Sequence, residues 1–249
     1  MDKITVFLAD WQVLFREGVH LTLSGGEDID VIGEAADNDE VLKSIEANPP
    51  RVAILNSDRG KASGIDITRR IKKTLPSVSI VLVADNYDEG RLFSAMKSGA
   101  SAYVTKEIDP DELVSIVREV AQGTCPMSKD LLKPGIASRV IGEFEAVNSI
   151  GKRADDTLSR LGTDERKILQ HIVAGNSIEQ LACALCISAE TIRRHLDSIR
   201  TKLTANSHTR GMLATARNDI SALEPRGIPD EAAASMSPAM NCPDSTRDK

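Results

Sequence analysis

The stretch SAETIRRHLDSIRTKL, Ser188–Leu203, carries the strongest pattern in the chain. Its aliphatic side chains recur at steps of four, three and four residues, which is the spacing of one helix face: Ile192, Leu196, Ile199 and Leu203. Ser188 suits the capping position, and Glu190 suits the positive end of the helix dipole. The other faces carry Arg193, Arg194, His195, Arg200 and Lys202. Alone, this pattern predicts either a solvated charged helix or a helix that enters the DNA major groove.

The preceding residues favour the DNA-binding interpretation. An amphipathic helix that ends at Gly175 is predicted by Ile168, Leu169, Ile172 and Val173. Ser177 and Gln180 have capping-box spacing and open a second helix, which carries Ile178, Leu181, Ala182 and Leu185. A turn of about three residues then leads into the basic helix. The contact between the two helices is expected at Ala182, Cys186 and Ile192.

The segment Leu161–Arg217 resembles a LuxR-type DNA-binding domain. The matching residues are Leu161, Glu165, Leu169, Ala174, Gly175, Ala182, Ile187, Ser188, Thr191, His195, Lys202 and Leu203. Cys186 stands where the family usually has a turn glycine, so a strained or altered turn is expected there. The resemblance implies that the basic helix enters the major groove of double-stranded DNA and that two subunits read an inverted repeat.

By position, the resemblance assigns the DNA contacts to Thr191, Ile192, Arg193, Arg194, His195 and Lys202. Arg193 and Arg194 are the expected base-edge or phosphate contacts. Thr191, His195 and Lys202 are expected to contact phosphate or to have structural roles. For His195 a packed position on the helix is the alternative, and Ile192 is expected to lie between the core and the groove.

Five short apolar runs alternate with amphipathic segments in the first half of the chain. The runs span residues 4–8, 29–32, 52–55, 78–83 and 102–104, and the helices 11–23, 37–47, 65–75, 89–97 and 109–122. This order predicts an α/β doubly wound, five-stranded parallel sheet of flavodoxin-like type, followed by a small all-α helix-turn-helix domain. Sites in such sheets lie at the carboxyl ends of strands, where this sequence has Asp10, Trp11, Asn56, Ala84 and Lys106.

Four stretches make the resemblance of residues 3–123 specific: LADWQVLFREG, GEAADNDEVL, RRIKKTLPSVSIVLV and KSGASAYVTKEIDPDELVSIVREVAQG. They resemble the receiver domain of NarL/FixJ-type bacterial response regulators. With the LuxR-type segment, the resemblance extends to Asn218 in the family's own order. It implies a DNA-binding transcription regulator of two-component type. It also implies a homodimer surface on the receiver's fourth helix, fifth strand and fifth helix.

Three departures from the receiver pattern each remove one function of the phosphorylation site. The phosphoacceptor aspartate is replaced by Asn56, whose amide cannot form an acyl phosphate. Trp11 replaces one of two adjacent acidic residues that help to hold Mg²⁺, so Asp10 remains where the family offers three carboxylates. Ala84 replaces the hydroxyl residue that senses the phosphoryl group. The sequence therefore predicts an atypical, non-phosphorylatable receiver.

Tyr103 and Lys106 of the receiver pattern are retained. Without a phosphoryl group, Lys106 is expected to pair with Asp10. Asp58 is an alternative acceptor, although it belongs to the loop and lacks the metal. Two interpretations stay open: a structural domain that only dimerises, and a domain controlled by a protein partner or a small ligand over Trp11. No catalytic residue, metal or cofactor is expected, so the chain is predicted not to be an enzyme.

Length and charge divide the 249 residues into unequal parts. We expect a receiver-like domain at 1–123, a linker at 124–160, a helix-turn-helix domain at 161–220, and a disordered tail rich in Pro, Ser and Ala at 221–249. The first part has 14 Lys and Arg against 21 Asp and Glu, a net charge of −7; the third has 8 against 6, a net charge of +2. This distribution favours polyanion contact only through the third part.

Other sequence features limit the remaining classes of function. The apolar runs are too short to cross a bilayer and no secretory signal is visible, so a cytoplasmic protein without membrane contact is expected. Cys183 and Cys186 form a C-x-x-C without the second pair that a zinc site needs. Incidental thiols are expected there, with a redox or metal switch as the alternative. A module that sequesters a kinase or another regulator without binding DNA is the alternative function.

Overall fold

The computed structural model describes residues 3–36, 38–58, 63–150 and 159–222, apart from the side chains of residues 38, 39, 147–150 and 213–222. Residues up to Met212 belong to one compact unit. The predicted disordered tail lies outside the described residues from position 223 onwards. None of the described helices combines the length and the apolar character that a membrane crossing requires.

A five-stranded parallel sheet with strand order β2-β1-β3-β4-β5 forms the first part of the chain. Its strands are β1 Ile4–Ala9, β2 Ile29–Ala35, β3 Val52–Asn56, β4 Ser79–Ala84 and β5 Ala102–Thr105. The crossover helices and the helix after β5 are α1 Val13–Ser24, α2 Asn38–Ala47, α3 Gly64–Thr74, α4 Glu89–Ser98 and α5 Pro110–Ala121. The predicted α/β doubly wound class is confirmed.

Burial on both faces explains why the sequences of the central strands are continuous apolar runs. Every residue of β3 is buried, as is every residue of β4 after Ser79, because helices cover both faces of the sheet. One core cluster lies under α2, α3 and α4, and the other under α1 and α5. Leu14 is an apolar residue of α1 that does not join this core, since 88% of it is exposed.

The segment that follows the sheet is helical and belongs to the core. A 3₁₀ helix spans Pro126–Leu132, and α6 spans Pro134–Ile150. Met127 and Leu131 are almost fully buried and extend the cluster under α4 towards the C-terminal helices. This part of the predicted linker therefore contributes apolar packing, and it joins the sheet to the helices that follow.

The C-terminal helices are α7 Thr163–Val173, α8 Ile178–Leu185 and α9 Ala189–Ala222. The capping box of α8 is present: the Ser177 hydroxyl accepts from the Gln180 amide, and the Gln180 side chain accepts from the Ser177 amide. The four aliphatic residues of the opening stretch are at most 2% exposed and form the predicted face: Ile192, Leu196, Ile199 and Leu203. Val173, predicted on the buried face of α7, is 41% exposed. The pattern of the opening stretch ends at Leu203, whereas α9 continues to Ala222.

Cys186 forms the turn between α8 and α9 in a left-handed backbone conformation, with φ of 54°. Among the described residues, Cys186 is the only non-glycine residue with a positive φ. Its side chain is exposed, so the prediction that Cys186 brings the two helices into contact is wrong; it supplies only the turn. A side chain in this conformation costs about 1–2 kcal/mol, which is the strain expected where a glycine is replaced.

We therefore expect Cys186→Gly to stabilise the protein by about 0.5–1 kcal/mol, because glycine adopts positive φ without this penalty but loses more chain entropy on folding. Chemical denaturation of the full chain measures the change. Cys183→Gly is the matched control, since Cys183 is an exposed thiol inside α8, where glycine costs about 1 kcal/mol. Destabilisation by both substitutions would contradict the strained turn.

Candidate DNA-binding surface and receiver site

The carboxyl ends of β1, β3 and β4 place the predicted receiver residues along one edge of the sheet. Asp10, Asn56 and Ala84 are at most 3% exposed. The start of α3 approaches this edge so closely that a Cβ atom on Gly64 would lie 2.1 Å from the carbonyl oxygen of Asn56. Only glycine fits there, and this contact fixes the backbone around position 56.

Lys106 lies at the centre of the buried polar groups on this edge. Its Nζ atom is 3.1 Å from Asp10 Oδ2 and 2.8 Å from Asp85 Oδ1, and it donates a hydrogen bond of 3.0 Å to Gln12 Oε1. The Asn56 amide nitrogen donates to Asp10 Oδ2 at 2.8 Å. The expected pairing of Lys106 with Asp10 is therefore present. Gln12 and Asp85 were not predicted, because a sequence pattern does not specify which loop side chains turn inward.

Two aromatic rings cover the ammonium group of Lys106. It lies 5.4 Å from the centre of the Trp11 ring and 5.2 Å from that of Phe15, within the range of cation–π attraction. Trp11 is 37% exposed, so its ring forms part of the outer surface of the site. Tyr103 is half-buried, and burial raises the pKa of its hydroxyl.

Asp58 is fixed by neighbours on three sides. Its side chain accepts hydrogen bonds from Ser57 and from the amide of Asp85, and it forms an ion pair with Arg91. Its own amide donates to Asn56 Oδ1 at 2.8 Å. These contacts use both carboxylate oxygens of Asp58, the alternative phosphoacceptor.

Within the described ranges, no cluster of three or more His, Cys, Asp or Glu residues has the geometry to hold a metal ion.

The predicted DNA-binding residues lie on α9, and four of the six are not engaged in the core of the domain. Arg193 and Arg194 are exposed, and Arg194 forms an ion pair of 3.0 Å with Glu190 one turn earlier. His195 is half-buried. Ser188 caps the helix by accepting from the Thr191 amide, and the two hydroxyl groups lie 2.9 Å apart. Four of the six predicted contacts therefore line the amino-terminal part of one helix.

Two of the predicted contacts are engaged inside the domain. Ile192 is fully buried, so the expectation that it lies partly in the groove is wrong for this conformation. Lys202 donates to both oxygens of Glu165, at 2.9 and 2.8 Å, which gives it a structural partner. Glu165 also accepts from Ser198 and from the Gly162 amide. From the sequence, Glu165 was identified only as a residue that matches the LuxR-type pattern, and its contacts with Lys202, Ser198 and Gly162 were not predicted.

The middle of α9 lies against α4 and the 3₁₀ helix. Thr204 donates to the carbonyl oxygen of Met96 at 3.1 Å, and Ser128 donates to Asp197 at 2.5 Å. Helix α6 adds Glu143, which pairs with both Lys97 and Arg210. The α4 part of the expected homodimer surface is therefore covered by helices of the same chain. Dimerisation through that face requires these helices to move.

Comparison with known families and proteins gives two domain matches. Residues 6–118 match the family described as response regulator receiver domain, and residues 159–213 match that described as bacterial regulatory proteins, luxR family. The sheet and the predicted helix-turn-helix fall in separate matches. The order of the two agrees with the resemblance seen in the sequence.

Two similar regulatory proteins each cover more than four fifths of the chain. The transcriptional regulatory protein DegU of Brevibacillus brevis is 28% identical over 225 residues, covering 87% of this chain and 94% of that protein. The probable transcriptional regulatory protein NarL of Mycobacterium tuberculosis is 27% identical over 202 residues, covering 81% and 88%. The solved signal receiver domain of the putative response regulator NarL from M. tuberculosis is 28% identical, with a TM-score of 0.48, covering 49% of this chain and 99% of that one.

The Glu165 contacts predict a specific pH dependence. Burial alone would raise the pKa of Glu165, but hydrogen bonds from Lys202, the Gly162 amide and Ser198 outweigh burial and lower it below its ordinary value of 4.5. A lowered folded-state pKa contributes stability at neutral pH that is lost as the pH falls through that pKa. Glu165→Gln should therefore cost about 1–3 kcal/mol at neutral pH and progressively less in acid.

Urea denaturation of the wild-type and variant chains, from neutral pH down to acid pH, measures the difference between their free energies of unfolding. Glu190→Gln serves as the control, because the Glu190 side chain is 73% exposed and its pair with Arg194 is solvated. A Glu165→Gln cost that stayed constant down to the acid limit would show that the charge of Glu165 is not the source.

Proposed function

We propose that this chain is a NarL/FixJ-type response regulator with a LuxR-type DNA-binding domain, and that its receiver works without aspartyl phosphorylation. As a two-component transcription regulator, it would bind specific double-stranded DNA through α9 as a homodimer in the cytoplasm. The observation that carries the proposal is the closed network of Asp10, Asn56 and Lys106 where the family has its phosphorylation site.

The chemistry of this network supports the loss of phosphorylation. The Asn56 side chain uses its nitrogen to donate to Asp10 and its oxygen to accept from the Asp58 amide. An amide lacks the nucleophilic oxygen that forms an acyl phosphate. Ala84, fully buried, offers no hydroxyl to a phosphoryl group. Neither acceptor nor sensor is therefore present at the positions that the family uses.

The same residues do not fit a magnesium ion. Mg²⁺ requires octahedral oxygen ligands and favours carboxylates. Asp10 is the carboxylate left at the family's metal position, and its oxygens face the ammonium group of Lys106 and the amide nitrogen of Asn56. Gln12 Oε1 accepts from the same lysine. A cation in this space would lie next to an ammonium group, so no function of the receiver is assigned to a metal.

The surface of α9 supports DNA binding. Arg193 and Arg194 are exposed on the amino-terminal part of the helix whose opposite face is buried in the domain. Arginine side chains donate two parallel hydrogen bonds to guanine, and they also bind phosphate. The match to the luxR family favours this function over the alternative of a module that sequesters another regulator without binding DNA.

The receiver proposal predicts that acetyl phosphate and Mg²⁺ add no phosphoryl mass to the wild-type chain and leave its DNA affinity unchanged. Asn56→Asp alone should stay poorly phosphorylated, because the metal still lacks ligands and the phosphoryl group still lacks a sensor. Intact-mass spectrometry and a mobility-shift assay on the same samples measure both effects. A gain of one phosphoryl mass on the wild-type chain, with a matching change in DNA affinity, would overturn the proposal.

The DNA-binding proposal predicts that Arg193→Ala weakens operator binding by about 1–3 kcal/mol if Arg193 reads a base edge. The fold should be retained, because the side chain is exposed. Genome-wide mapping of bound sites supplies the operator, and fluorescence anisotropy measures the affinity. Arg166→Ala is the matched control, since Arg166 is an exposed arginine on α7. Equal affinities of wild type and a folded Arg193→Ala would remove this residue from the contact surface.

Homodimeric binding predicts two chains per operator and a steep decrease of affinity with salt. A net charge of +2 on residues 161–220 gives one domain few phosphate contacts, so two copies are needed for a stable complex. Sedimentation of the saturated complex measures the stoichiometry, and anisotropy at increasing salt measures the slope. One chain per operator at saturating protein would exclude the dimer.

A further inference from the structure

A cavity of about 610 Å³ lies between the 3₁₀ helix and α9. Its size is within the range of small-molecule sites, roughly 300–1,000 Å³. One wall contains Pro126 and Leu132, and the other contains Ile178 of α8 and Leu196 of α9. The cavity therefore offers an apolar space between the sheet part of the chain and the DNA-binding helix.

Cationic side chains enter this space from α9. Arg193 and Arg200 both line the cavity, and seven residues, about two helical turns, separate them along one side of the helix. The Nε atom of Arg200 is buried and has no hydrogen-bond acceptor within the described part of the chain. Buried guanidinium donors are normally paired, so this atom indicates an acceptor that the protein does not supply.

Within the described residues, no ion pair neutralises Arg200, and its neighbours in the cavity have other partners or no charge. Asp197 accepts from the Ser128 hydroxyl on the opposite wall, and Glu119 also lines the cavity. The Cys125 thiol donates towards the carbonyl oxygen of Ser101, and burial raises its pKa, so it stays uncharged at neutral pH. With Lys129, the cavity has three cationic side chains against two carboxylates. An anionic group with an apolar body fits this combination.

We propose that this cavity binds a small organic anion, a carboxylate or sulfonate on an apolar body, whose charged group is held by Arg193 and Arg200. Arg193 also belongs to the proposed DNA surface, so the bound anion competes with DNA for the same guanidinium group. This competition rests on the proposed function, whereas binding of the anion does not. It gives the receiver side of the chain a control of DNA binding that needs no phosphoryl group.

Anilinonaphthalene sulfonate is the probe, because it joins one sulfonate to an apolar aromatic body and fluoresces when bound. Titration of the full chain should show one saturable site. Arg200→Met should weaken that site at least about tenfold, since it removes a charge-assisted hydrogen bond. Arg194→Met, exposed on the same helix outside the cavity, should leave it unchanged. N-phenylnaphthylamine, which lacks the sulfonate, should bind weakly and without dependence on Arg200.

The probe should also displace operator DNA from the wild type but not from Arg200→Met, provided that circular dichroism shows both chains folded. Absence of a saturable site, or equal binding by wild type and Arg200→Met, would overturn the inference. Equal losses in Arg194→Met and Arg200→Met would also contradict it. DNA binding measured without the probe reports on the proposed function separately, so failure of one does not imply failure of the other.

Discussion

The Asp10 carboxylate is the group around which the edge of the sheet is built. It follows a buried strand and is 3% exposed, so its charge requires a partner inside the protein. Removing a single partner from a buried ion pair costs about 3–5 kcal/mol, because the other charge is left without compensation. Lys106 supplies the opposite charge, and Asn56 supplies a hydrogen bond. The identity of position 56 therefore determines what else this edge accommodates.

An aspartate at position 56 would place a second carboxylate against Asp10 and create the demand for a cation that the family meets with Mg²⁺. The amide of Asn56 reverses that relation, since it donates to Asp10 instead of repelling it. Trp11 then covers Lys106 where a ligating carboxylate would stand. The three departures from the receiver pattern are consistent with one another, since each is compatible with an edge whose charged groups are paired inside the protein.

The C-terminal helices depend on this sheet through a second connection. The core under α4 continues through Met127 and Leu131 into the buried face of α9. Hydrogen bonds from Thr204 and Ser128 join the same surfaces. A structural change in the sheet part of the chain would therefore be transmitted through these contacts to α9, the helix that carries Arg193. The cavity beside this connection is lined by residues of both the 3₁₀ helix and α9, so a bound anion would contact both.

Local patterns predicted most of the fold. Alternating apolar runs placed all five strands, and the Ser177–Gln180 spacing placed the start of α8. The pattern failed where tertiary contacts decide. Leu14 is an apolar residue of α1 yet is exposed. For Ile192, the aliphatic spacing placed the side chain correctly on the buried face, whereas the assignment to the DNA groove, made from the resemblance, was wrong. The sequence also suggested the pairing of Lys106 with Asp10. The contacts of Lys106 with Gln12 and Asp85, and the cavity beside Arg200, could not be predicted, because they depend on side-chain directions that no local spacing encodes.

Calorimetric titration of the full chain with Mg²⁺ tests most directly whether Asp10 is satisfied internally. The account predicts no saturable binding at millimolar Mg²⁺ by the wild type, and the same result for Asp10→Asn. Saturable binding by the wild type that Asp10→Asn abolishes would show that the carboxylate remains available to a metal. That result would contradict a receiver closed by Lys106 and Asn56.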